Sequence, residues 1–170
     1  DITLGADNLS FDATNWASLT GLTLASGTDD YTPTISNLPT GVVVTLGDAD
    51  VDDTTLDTVA GADLTVDAEA ITVTSLTITD AVNVTINGEG AAADLESLVL
   101  DATDTKTLTL TADGGTSLDV GPITGTDEIT TLTATTTVAS GTIGHTSNSF
   151  ADADGLTTLN LSATNASLTL

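Results

Sequence analysis

The side chains with the greatest chemical potential in this chain are carboxylates, and they cluster. Asp48, Asp50, Asp52 and Asp53 lie within six residues, and Asp152 and Asp154 flank Ala153 just before Gly155. Alternate carboxylates offer hard oxygens, the ligands that Ca²⁺ collects six to eight at a time. The first run begins like an EF-hand loop but does not continue as one. Asp53 stands where that loop needs glycine, and Val59 where it needs a bidentate glutamate. The expected chemistry is therefore a calcium site of another kind, completed by backbone carbonyls. Affinity would fall in the range of about 10⁻⁴–10⁻³ M usual for extracellular modules. The expected metal ligands are Asp48, Asp50, Asp52, Asp53, Asp152 and Asp154. Weaker pairs are Asp29 with Asp30, Asp101 with Asp104, and Asp127 with Glu128. The plainer alternative at each is a solvated turn, because Asp side chains cap turns by bonding to their own backbone.

Other chemistry finds little support. His145 is the sole histidine and there is no cysteine, so neither a zinc site nor a disulfide framework can be assembled. No serine lies in a nucleophile-elbow sequence. Acids abound for two-carboxylate glycoside cleavage. The aromatic platforms and basic anchors that hold sugars do not: Phe11, Trp16, Tyr31 and Phe150 are the only aromatic residues, and Trp16 and Tyr31 read as packing or interface residues. No catalytic residue and no enzyme activity are expected.

Charge narrows the partners. Twenty-five acidic residues against the single base Lys106 give a net charge of −24. Such a chain cannot neutralise phosphates, which excludes nucleic acid as a direct partner. It also lacks the bases that hold a protein on an anionic membrane, and no apolar run is long enough to span one. Copies of this surface repel one another unless their charge is screened or bridged, and divalent cations are the natural counter-charge.

The elements that must position these acids are strands. Thr makes up a little over a fifth of the chain and alternates with aliphatics, the period-2 pattern of half-buried strands. Leu22–Leu24, Val42–Leu46, Leu76–Ile78, Val82–Ile86, Leu98–Leu100, Leu108–Leu110, Leu159–Leu161 and Leu168–Leu170 all read this way. Residues 91–98 have the spacing for one short helical turn and nothing longer. The strands recur as units. Leu95, Leu98 and Leu100 are echoed by Val73, Leu76 and Ile78, by Ile129, Leu132 and Ala134, and by Leu156, Leu159 and Leu161. These units start 22, 34 and 27 residues apart. Repeats of this length point to solenoids or arrays of small β units.

The expected fold is thus all-β: a β-solenoid or parallel β-helix-like stack of short strands, whose narrow interior suits ladders of small aliphatics. The alternative is an immunoglobulin-like β-sandwich, or two in tandem. One repetitive domain over residues 1–170 is expected, with 61–70 as the candidate subdivision. The absence of an initial Met implies a processed or cut end, and the strand-like ends without a polar cap favour assembly.

Residues 150–170, running from Phe150 through Asp152, Asp154, Leu156, Leu159 and Leu161 to Leu170, resemble the repeats of bacterial surface-layer (S-layer) proteins and large RTX-type adhesins. The segments around Leu76, Leu98 and Leu132 share the likeness, which covers roughly residues 70–170. The resemblance implies secretion, solenoid-like domains, calcium-dependent assembly and no catalysis. The glycine-rich nonapeptide of the calcium β-roll is absent; Asp113 with Gly114 and Gly115 is the nearest fragment. The expected function is a structural subunit or module of a self-assembling extracellular layer or filament, stabilised by calcium. Its partners would be copies of itself and, as an alternative role, cell-surface glycans bound by an adhesin module. A β-helix carbohydrate enzyme is the third reading.

Overall fold

The computed structural model describes residues 2–5, 9–25, 32–47, 51–69, 71–89, 93–101, 103–113, 117–136, 142–143, 154–163 and 167–168. Among these there is no helix, and every strand pair is parallel. The chain is a β-solenoid: each coil travels around a narrow core and pairs with the coil before it. Parallel pairing throughout excludes the immunoglobulin-like sandwich, whose sheets are antiparallel.

Three faces make up the coil. The first contains β1 (Ile2–Leu4), β3 (Gly21–Leu24), β5 (Val42–Leu46), the latter part of β6 (Val51–Glu69) and that of β7 (Thr72–Glu89). It continues through β10 (Thr107–Ala112), β13 (Thr131–Thr136) and β15 (Thr158–Ala163). The second contains β2 (Ser10–Asp12), β4 (Thr34–Leu38), the middle of β6 and β7, β9 (Leu98–Leu100) and β12 (Ile123–Thr124). The third contains the starts of β6 and β7, then β8 (Ala93–Leu95), β11 (Leu118–Val120), β14 (Thr142–Ile143) and β16 (Ser167–Leu168).

Register turns the period-2 sequence into ladders. Leu22, Val44, Val66, Ile86, Leu110 and Ala134 succeed one another on the first face, all buried. Ile35, Leu56, Ile78 and Leu100 do so on the second, and Val73, Leu95 and Val120 on the third. Parallel strands lie about 4.8 Å apart, so like residues stack in contact and exclude water. Each fully buried aliphatic contributes roughly 1.5–3 kcal/mol. At β15 the ladder meets solvent: Leu159 and Leu161 are half exposed.

The corner between the second and first faces has its own chemistry. Asn37, Gly41, Gly61, Asp80 and Gly125 all adopt positive φ there. This left-handed geometry is open to Gly, Asn and Asp and costly for other side chains, so the corner selects them. Buried threonines at the same corner bond between coils: Thr105 Oγ1 donates to the Ala81 carbonyl at 3.0 Å, and Thr58 Oγ1 lies 3.2 Å from the Thr79 carbonyl.

Two expectations are corrected. Residues 93–95 form β8 rather than part of a helical turn, because Ala93 and Leu95 enter the third-face ladder. The 34-residue step from Leu95 to Ile129 is not one coil. Leu95 is followed by Val120 and Leu98 by Ile123, whereas Leu132 follows Leu108. The other two steps are coils: Val73 pairs with Leu95, and Leu132 with Leu159. Trp16 is half exposed in the corner segment after β2, its ring tilted 6.1 Å from that of Phe11.

Candidate metal centre

One edge of the solenoid gathers acids from successive coils. Asp57 precedes the corner in β6 and pairs in register with Thr79, whose hydroxyl donates to Asp57 Oδ1 at 2.9 Å. Asp80 follows at once, at the left-handed corner of β7. Ile78 pairs with Leu100, so the next coil brings Asp101 beside it. Asp101 then turns the chain: its Oδ1 accepts from Thr103 N at 2.8 Å and from Thr103 Oγ1 at 2.7 Å. That turn carries Asp104 back over Asp80. Carboxylate oxygens of Asp80, Asp101 and Asp104 all lie within 4.8 Å of one another, all three residues partly buried. This is the one such group of potential ligands among the described residues.

The electrostatics follow from the geometry. Burial and then the charges of Asp57, Asp104 and Asp101 push the Asp80 carboxyl above its ordinary range, and a hydrogen bond to Asp104 adds to this. Asp101 moves the other way, because the Thr103 amide and hydroxyl hold its charged form. A second acidic column crosses the end of the first face, where Glu69 pairs with Glu89 and Asp113 follows. Asp67 foremost, then burial, Glu69 and Asp113 raise the Glu89 carboxyl. Lys106 sits next to the first column but is paired with Glu128 of the following coil.

A donor set of carboxylates without nitrogen or sulfur suits a hard cation. The residues present fit a hard divalent cation such as Ca²⁺ or Mg²⁺, held by three carboxylates from two coils. Bound there, the ion would neutralise the like charges and tie one coil to the next.

Of the six acids expected as metal ligands, the three that the structure describes, Asp52, Asp53 and Asp154, lie away from this group. Asp52 is partly buried and 3.5 Å from the Thr74 hydroxyl of the next coil. Its neighbour Asp53 is exposed on β6 opposite Ser75. Asp154 is exposed in a turn. Asp48, Asp50 and Asp152, like Asp29, Asp30, Tyr31 and His145, fall outside the described residues. Of the weaker pairs, Asp101 and Asp104 do meet, and Asp80 is the member that sequence reading missed. The signal was the coil offset: 22 residues beyond Asp80 lies Ala102, between Asp101 and Asp104.

Replacing Asp80 with Asn tests the assignment twice. Asn accepts the positive φ and removes one like charge. A carboxyl raised by folding contributes stability that is full below its unfolded value and is lost as pH rises through its folded value. Without metal, Asp80→Asn should therefore melt above the parent at pH 7, and the gap should close as pH approaches 4. With Ca²⁺, the parent should gain more melting temperature than the variant. Equal gains would remove Asp80 from the site.

These features define a β-solenoid with acidic edges. No family model matches the chain, and no curated protein or solved structure is significantly similar to it.

Proposed function

We propose that this chain is a structural module of an extracellular surface layer or filament, assembled from copies of itself and stabilised by calcium. The observation that carries the reading is the register of the coils. It stacks the coils and aligns carboxylates in columns, Asp57 with Asp80, Asp101 and Asp104 on one edge and Glu69 with Glu89 on another. Like charges in columns oppose close packing of copies until a divalent ion bridges them. The sequence likeness to surface-layer and RTX-type adhesin repeats points the same way. The role requires no turnover.

Light scattering with negative-stain microscopy, under a Ca²⁺ titration followed by chelator, tests this. Ordered polymers that form with calcium and dissolve with chelator are expected. A folded monomer under every condition would overturn the assembly role. The second reading, an adhesin or glycan-binding module, is favoured by half-exposed Trp16, which lines a shallow cleft with Ile2, Asn15 and Leu19. Saturable change in Trp16 fluorescence on adding surface glycans would promote it.

A further inference from the structure

The same register that aligns the acids also builds a surface without them. On the outward side of the first face, β10 presents Thr107, Thr109 and Thr111, and β13 presents Thr131, Thr133 and Thr135 directly opposite. β15 extends the columns with Thr158, Asn160 and Ser162, again without a register shift. In the other direction the middle column continues through Thr85 and Thr65. The six threonines of β10 and β13 are partly exposed, each flanked by its neighbours.

Two properties set this block apart. The first is two-dimensional order. Rungs repeat at about 4.8 Å, and alternate residues along a strand at roughly 6.6–6.8 Å. Thr is stiff at χ1, so each hydroxyl and methyl is held in place by its branched carbon and by the next rung. The second is neutrality. In a chain of net charge −24, the three strands place no charged side chain on this face; Asp63 and Asp67, outward on the same face, lie on β6, two coils before β10. Lys106, at the start of β10, is already paired with Glu128.

A partner for such a surface must itself repeat in two dimensions, offer oxygen-based hydrogen bonds and require no charge. Hexagonal ice meets all three conditions, with an oxygen repeat close to the rung spacing. Crystalline polysaccharide would gain from aromatic platforms, and the rings of Phe11 and Trp16 lie by the second face and the corner after it, not on this block. We propose that the threonine block on β10, β13 and β15 is an ice-adsorbing face. This goes beyond the assembly role and does not depend on calcium at Asp80.

The test uses the purified chain with metal chelated, in thermal hysteresis measurements and in partition into a slowly growing ice hemisphere. The parent should enter the ice and show hysteresis. The double variant Thr109→Lys/Thr133→Lys should lose most of both, while Thr77→Lys on the second face keeps them. Far-UV circular dichroism reports whether each variant folds. Thr133→Val, which keeps the shape and one methyl but removes the hydroxyl, gives a second reading that perturbs folding least, and a partial loss is expected. Exclusion of the parent from ice would overturn the proposal, as would unchanged activity in a folded double variant. Binding to microcrystalline cellulose or chitin without ice activity would also overturn it, in favour of a polysaccharide surface.

Discussion

Leu76→Ala should destabilise the solenoid by about 2–5 kcal/mol, the range for removing a leucine from a core that cannot close around the gap. Leu76 is fully buried and stacks between Thr54 and Leu98, with Ile123 beyond. Rigid rungs above and below prevent collapse into the space. Whole domains are stable by only about 5–15 kcal/mol, so the loss is a large share of the total. Coils touch only their neighbours, and a weakened coil in mid-stack divides the cooperative unit. Urea denaturation should show a lower midpoint, with a shallower slope if the two parts come to melt separately. A cost below about 1 kcal/mol, the ordinary effect of a point substitution, would mean that the ladder is not the source of stability.

Gly121→Ala should be comparably damaging for a different reason. Gly121 is buried between β11 and β12, and its amide donates to the Leu95 carbonyl at 2.6 Å. A β-carbon there would overlap the carbonyl group of Glu96 in the preceding coil. The obstacle is backbone, so no rotamer change relieves it, and the two coils must separate locally. About 2–4 kcal/mol is expected, toward the upper range of single substitutions. Gly41→Ala is the informative comparison. Space is open around Gly41 but its φ is +76°, so only the conformational cost of about 1–2 kcal/mol applies. Denaturation of both variants under the same conditions separates crowding from backbone strain. The reverse order of effects would contradict the close approach of coils at Gly121.

The strands were legible because alternation of Thr with aliphatics marks a half-buried strand, and the stacking because those strands recur as units. The offset of 22 residues joining Val73, Leu76 and Ile78 to Leu95, Leu98 and Leu100 could be read directly, and these residues do pair. The next coil could not, because its offset grows to 25 residues, from Leu95 to Val120 and Leu98 to Ile123, and Gly125 stands where the third aliphatic would recur. Asp80 was hidden for a related reason. It interrupts what reads as continuous strand, and only the coil offset brings it to Asp101 and Asp104. Alternation showed that the threonines face outward, but not that β10 and β13 align them without a shift. That depends on how many residues each turn consumes.

The direction of the inter-coil hydrogen bonds has a mechanical consequence. In a solenoid they run along the stack, so tension between the two ends is borne by one coil interface after another in series. A coil such as the 22 residues from Val73 to Leu95 adds about 4.8 Å to the stack. Pulled free and straightened, it spans roughly 70–80 Å. Each coil that peels away thus returns more than ten times its own height in slack while the remainder stays wound. Stretched at its ends, the molecule would behave as a tether that lengthens in instalments and absorbs a jolt before it parts.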